Sequence, residues 1–188
     1  MLQKSILIII CIVFFSCKNE PKTTNTVGVN TTTKTEAKAN ATSKSEPETT
    51  NSEIPVLNFD QFEKYLNIED DNIHVVNFWA TWCAPCVKEL PYFEAVNAQY
   101  KDKNVQVLLV SLDFNLKKLN SFLAKNELKS EKVLLDDPDQ NAWIPKVSEK
   151  WSGAIPATVI YGKGKRKFYE KSFTQEALES ELKNFINQ

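Results

Sequence analysis

Cys83 and Cys86 stand three apart, where the apolar run from Val76 to Trp82 gives way to a helical pattern. Sequence of this kind makes a redox dithiol. A thiolate is the attacking species in disulfide exchange, and its pKa falls where the free N–H groups and dipole of a helix N-terminus favour negative charge. Cys83 takes that position. Cys86, one turn along the same helix, is close enough to pair with Cys83 and release whatever Cys83 has attacked. A free thiol of pKa about 8.5 is roughly 3% thiolate at pH 7, and one of pKa about 7 is roughly half ionised. Placement alone therefore changes the reactive fraction by about an order of magnitude.

The elements that must position this pair are readable around it. Residues 53 to 188 have the length of one domain. Strands are predicted at Ile54 to Asn58, Ile73 to Trp79, Val105 to Leu112 and Glu131 to Leu135. Helices are predicted from Asp60 to Asn67, from Ala84 to Tyr100 and from the cap Asn115 to Asn126. The nearly unbroken apolar string Val-Gln-Val-Leu-Leu-Val-Ser-Leu suits a central strand buried on both faces. Asp136-Asp137-Pro138-Asp139 forms a turn into a short helix that carries Trp143 and is limited by Pro145. Ala157 to Tyr161 and Arg166 to Lys171 make a hairpin across Gly162 to Lys165, and Thr174 caps a terminal helix. Strands alternating with helices, then a hairpin and a helix, give an α/β sandwich around a mixed sheet.

Ahead of the domain, Lys4, the apolar core Ile6 to Phe15 and Ser16 before Cys17 read as a secretory signal over residues 1–16. The apolar core is shorter than the roughly 20 residues of a comfortable membrane span. Val13-Phe-Phe-Ser-Cys17 resembles a bacterial lipoprotein signal, with Phe15 where a small residue is more usual. Cleavage would leave Cys17 as a lipidated N-terminus; the alternative is an uncleaved anchor with the same orientation. Residues 17–52, rich in Thr, Asn, Ser, Lys and Glu, hold too little apolar surface to offset ordering entropy and read as a disordered tether. Either arrangement places the domain in the cell envelope outside the cytoplasm, with periplasm as the expected compartment. A domain whose only cysteines form one motif there suggests chemistry rather than stapling.

Several functions fail on particular residues. Zinc would need two further soft ligands, and the domain has no third cysteine, so no metal or cofactor is expected. Covalent haem attachment wants His after the second cysteine, where Val87 stands. His74, the single histidine, is expected as a strand surface residue. With 23 basic against 24 acidic residues, the chain has no nucleic-acid footprint. The basic run Lys163 to Lys167 reads as a solvated turn.

Asn77-Phe-Trp-Ala-Thr-Trp-Cys-Ala-Pro-Cys86, Pro91, and Ile155-Pro156-Ala-Thr further on resemble the thioredoxin-fold disulfide reductases, above all the membrane-anchored TlpA/ResA type. The resemblance covers essentially residues 54 to 188 and implies a thioredoxin-like three-layer sandwich. The stretch Asn115 to Leu135 would be that subgroup's helix-strand insert after the central strand. Pro156 matches the family's cis-proline facing the dithiol, and Ile155 would contact the sulfurs while an extended substrate pairs beside them. Trp82 would belong to the exposed apolar rim that receives partners; Trp79 is equally readable as core. Pro91 would kink the dithiol helix in a structural role. Asn77 departs from the buried Asp of thioredoxin, and an amide cannot act as a general base. Glu89, on the same helix face as Cys86, is then the candidate proton acceptor, its alternative being a solvated helix glutamate. A peroxidase of the related fold would need Thr or Ser where Ala80 precedes Cys83 by three.

The resemblance implies a monomer that reduces disulfides of envelope proteins, apocytochrome c among them, and is re-reduced by a membrane electron donor. Net disulfide oxidation is the alternative within catalysis, because Ala84-Pro85 does not fix the potential. A non-catalytic tethered module that binds extended peptides is the alternative from another class.

Overall fold

The computed structural model describes residues 54–187. The signal, Cys17 and the tether lie outside them. A mixed six-stranded sheet forms the middle layer. In chain order its strands are β1 (Val56–Leu57), β2 (Ile73–Trp79), β3 (Val105–Ser111), β4 (Glu131–Leu135), β5 (Ala157–Gly162) and β6 (Lys165–Tyr169). In space they run β1-β4-β3-β2-β5-β6. The first four are mutually parallel, while β5 is antiparallel to β2 and β6 to β5.

Helices α1 (Phe59–Phe62), α2 (Ala84–Gln99), α3 (Leu116–Leu123), α4 (Gln140–Val147) and α5 (Gln175–Ile186) flank the sheet. The period-two alternation of the strands assigns the layers. Ile73, Val75 and Trp79 of β2 share one core with Leu90 and Phe93 of α2, Leu119 of α3 and Leu178, Leu182 and Phe185 of α5. Val76 and Phe78, on the opposite face, pack with Phe59 and Phe62 of α1 and with Trp143 and Trp151. The expected three-layer sandwich is thus present, and its insert strand β4 lies inside the sheet between β1 and β3.

Several boundaries differ from those predicted. β1 is short because Asn58 leaves the strand to cap α1, its side chain taking the Gln61 N–H while Gln61 returns a bond to the Asn58 N–H. The first helix tightens into a 3₁₀ turn over Glu63–Leu66. The β5-β6 turn needs two residues rather than four, since Gly162 pairs with Lys165 and both Lys163 (φ 49°) and Gly164 (φ 72°) are left-handed. His74 is buried, not a surface residue. Its ring stacks on Tyr161 and its Nε2 sits 2.8 Å from Asp70 Oδ1. In the basic hairpin Arg166 is engaged rather than free, donating to the carbonyls of Leu66 and Val147.

Candidate active site

The site begins where β2 ends. Cys83 has an extended backbone (φ −90°, ψ 96°) and caps α2, its Sγ accepting the Cys86 N–H at 3.3 Å. Pro85 in the first turn has no N–H to leave unpaired there. The sulfur therefore sits at the positive end of the helix dipole. Cys83 and Cys86 are joined in a disulfide with Cα atoms 5.2 Å apart. Cys83 keeps 6% of its surface exposed and Cys86 none, so an incoming partner meets Cys83.

Facing the disulfide is the loop before β5. The Ile155-Pro156 peptide is cis, and the Ile155 carbonyl oxygen lies 3.7 Å from Cys83 Sγ. Trp151 anchors this loop: its indole N–H donates to the Ala154 carbonyl at 2.7 Å, and its ring packs against Phe78, Trp143 and Phe168. Ser152 is held by the Glu170 carboxylate through both its N–H and its hydroxyl. Ile155, half-buried, packs against both cores.

Behind the sulfurs a polar cluster is sealed from solvent. Glu89 is 1% exposed, which removes the solvated alternative. Its Oε1 accepts from Asn77 Nδ2 at 3.0 Å and its Oε2 from the Phe173 N–H at 2.7 Å. The second Asn77 amide hydrogen goes to Thr158 Oγ1, on the strand residue directly opposite. Burial pushes the Glu89 carboxyl above its usual range, and these two donors oppose it only in part. Cys86 and Glu89 are both buried and lie three apart on α2. Pro91 is exposed on the outer face, and α2 continues through it to Gln99.

Trp82 is 59% exposed beside Cys83 and stacks on Phe114, itself 81% exposed, with centroids 6.1 Å apart and planes 4° from parallel. Trp79 resolves to core, packed on Phe122. Beneath the aromatic pair the buried Asp113 accepts the Thr81 N–H (3.0 Å), the Thr81 hydroxyl (2.5 Å) and the Ser111 hydroxyl (2.8 Å). Asp113, Phe114 and Trp151 escape a reading based on spacing, because each reaches the site only through the fold. The one available signal is that Asp113-Phe114 follows a buried strand end. Among the described residues no group of three or more His, Cys, Asp or Glu is placed to hold a metal ion.

Residues 50–148 match the family described as Redoxin, over half of the chain. The chain belongs to the Redoxin family. Among similar proteins, ResA thiol-disulfide oxidoreductase of Oceanobacillus iheyensis is 43% identical over 54 residues, 29% of this chain and 28% of that protein. ResA of Geobacillus kaustophilus is 27% identical over 111 residues, 58% and 60% of the two chains. The Redoxin chain thus spans less than two thirds of either relative. Its fold is shared with a secreted thiol-disulfide isomerase of Corynebacterium glutamicum, at TM-score 0.55 and 18% identity over 63% of this chain and 73% of that one. It is shared too with the thioredoxin domain of a Bacteroides vulgatus thiol-disulfide oxidoreductase, at TM-score 0.51 and 22% identity over 62% and 81%. This Redoxin is thioredoxin-like in architecture.

Proposed function

We propose that the protein is an extracytoplasmic thiol-disulfide oxidoreductase that reduces disulfides of envelope proteins. The observation that carries this reading is Cys83 Sγ at the N-terminus of α2, bonded to Cys86 and facing the Ile155 carbonyl. In the dithiol form the Cys83 thiolate attacks one sulfur of a client disulfide. The other client sulfur leaves as a thiolate, and a mixed disulfide forms beside Pro156. Cys86 gives its proton to Glu89 or to water and displaces the remaining client sulfur. The client gains two electrons and, after protonation, two thiols; the protein is left with the Cys83–Cys86 disulfide. A dithiol donor at the membrane would return the electrons.

Trp82, Ile155 and Pro156 form the surface against which an extended client would lie. Asn77 and Pro91 support the site from behind and along α2. The apolar run before Cys17 supports a lipid anchor and a periplasmic domain. The resemblance of the dithiol motif to the TlpA/ResA type makes apocytochrome c one client class to test, for a protein acting as a monomer. Cys86→Ser should accumulate mixed disulfides with client proteins in cells, identifiable after non-reducing electrophoresis, and Cys83→Ser should accumulate none. Full biological activity in Cys83→Ser would instead make the domain a peptide-binding module. A standard potential near that of strong oxidants would reverse the proposed direction.

A further inference from the structure

The insert helix α3, with the turn that follows it, turns a basic face toward the loop that delivers Cys83. Lys117, Ser121 and Lys125 recur at four-residue spacing, as do Lys118, Phe122 and Asn126, so the two rows adjoin on one surface. With Thr81 they line an open cavity of about 510 Å³. Lys117, Lys118 and Lys125 are its charged groups, and no carboxylate lines it. None of these lysines joins the ion pairs of the described residues, which link His74 with Asp70 and Lys167 with Glu181. The Asp113 carboxylate beneath the loop is already occupied by Thr81 and Ser111.

The position of the cavity matters as much as its charge. Thr81 lies two residues before Cys83, a Cα separation of at most about 7 Å. The next residue from Thr81 is Trp82, and the residue before the cap Asn115 is Phe114, so the exposed aromatic pair borders both the lysine cavity and the dithiol. Unpaired like charges at the edge of a reactive sulfur raise the local concentration of oppositely charged segments.

We propose that this face selects client proteins whose disulfide is flanked by an Asp/Glu-rich extended segment. The acidic residues occupy the lysine cavity, an apolar neighbour covers Trp82 and Phe114, and the client sulfur is presented to Cys83. The inference rests on the exchange reading of the dithiol and adds its substrate class. The docked segment takes no part in the bond changes. A lipid surface seated on the same lysines would lie against Trp82 and obstruct the approach to Cys83, so a client segment is the occupant compatible with exchange there.

The test uses the reduced full-length protein in neutral detergent and matched peptide disulfides flanked by Asp/Glu, by Gln or by Lys. The acidic peptide should be reduced about ten-fold faster than the Gln peptide at low salt, and the Lys peptide slowest. The ratio should collapse at about 0.5 M NaCl. Lys117→Gln/Lys118→Gln/Lys125→Gln should bring the three peptides within about two-fold of one another, while reducing uncharged bis(2-hydroxyethyl) disulfide at the wild-type rate. Equal wild-type rates on acidic and neutral peptides, or an acidic preference retained in the triple variant, would overturn the inference. So would equal peptide rates together with wild-type-specific retention on phosphatidylglycerol over phosphatidylcholine vesicles, which would assign the lysines to a membrane. A wild-type dithiol inert toward bis(2-hydroxyethyl) disulfide would remove the exchange reading itself, and this inference with it.

Discussion

Glu89 holds a carboxylate in the interior on hydrogen bonds from Asn77 and Phe173, and no cation of the described residues pairs with it. Burial raises its pKa more than the two donors lower it. The folded state therefore binds the Glu89 proton more tightly than the unfolded chain does. This contribution to stability is fully present below the ordinary glutamate pKa and is lost as pH rises through the raised folded value. Glu89→Gln should remove that decline, so urea midpoints measured from pH 4 upward should fall less steeply than in wild type. A constant offset is also expected, because a glutamine oxygen can serve only one of the two facing donors. The same variant should shift the Cys86 thiol titration if the carboxyl is its proton acceptor; an unchanged titration removes Glu89 from that role. At this scale the sequence points to two side chains that the structure brings together: an amide at Asn77, which cannot act as a base, and Glu89, three residues after Cys86. The Phe173 N–H that orients the carboxylate is not legible, since it arrives from the far end of the chain.

The loop between β2 and α2 is fixed by the element beside it. Asp113, just past the end of β3, collects two bonds from Thr81 and one from Ser111, and the Leu112 N–H bonds to the Trp79 carbonyl at 2.8 Å. Removing a buried acceptor strands its donors, which costs more than the net value of the bonds when formed. Asp113→Ala should lower unfolding free energy by about 2–3 kcal/mol in urea titration. It should also slow exchange by letting the segment before Cys83 move, whereas Asp113→Asn should recover part of both losses. Strands β2 to β5 were readable because they are long or densely apolar, α2 because the dithiol marks where it starts, and α5 because Thr174 caps it. The ends of β1, α1 and α3 were not. There Asn58 competes for the backbone, a 3₁₀ turn replaces the last helical turn, and the Lys125 N–H bonds three residues back to the Phe122 carbonyl, a tighter closure at the end of α3.

Across the molecule, the sheet order β1-β4-β3-β2-β5-β6 puts β2 near the middle, so the dithiol emerges where both flanking layers support it. Local pattern predicted that a strand exists at Glu131 to Leu135, but its place between β1 and β3 follows only from nonlocal pairing. In the whole chain, protein extracted from membranes should begin at a lipidated Cys17 by intact mass, and a mass that retains residues 1–16 would favour the uncleaved anchor. The distribution of tryptophans has a further consequence. Trp79, Trp143 and Trp151 are 0%, 3% and 5% exposed, whereas Trp82 is 59% exposed and adjoins Cys83. Emission at the red edge of the tryptophan band therefore comes mainly from the indole beside the reactive sulfur. The chain carries its own fluorophore at the place where a partner must land, and redox state and docking can be followed there without an attached dye.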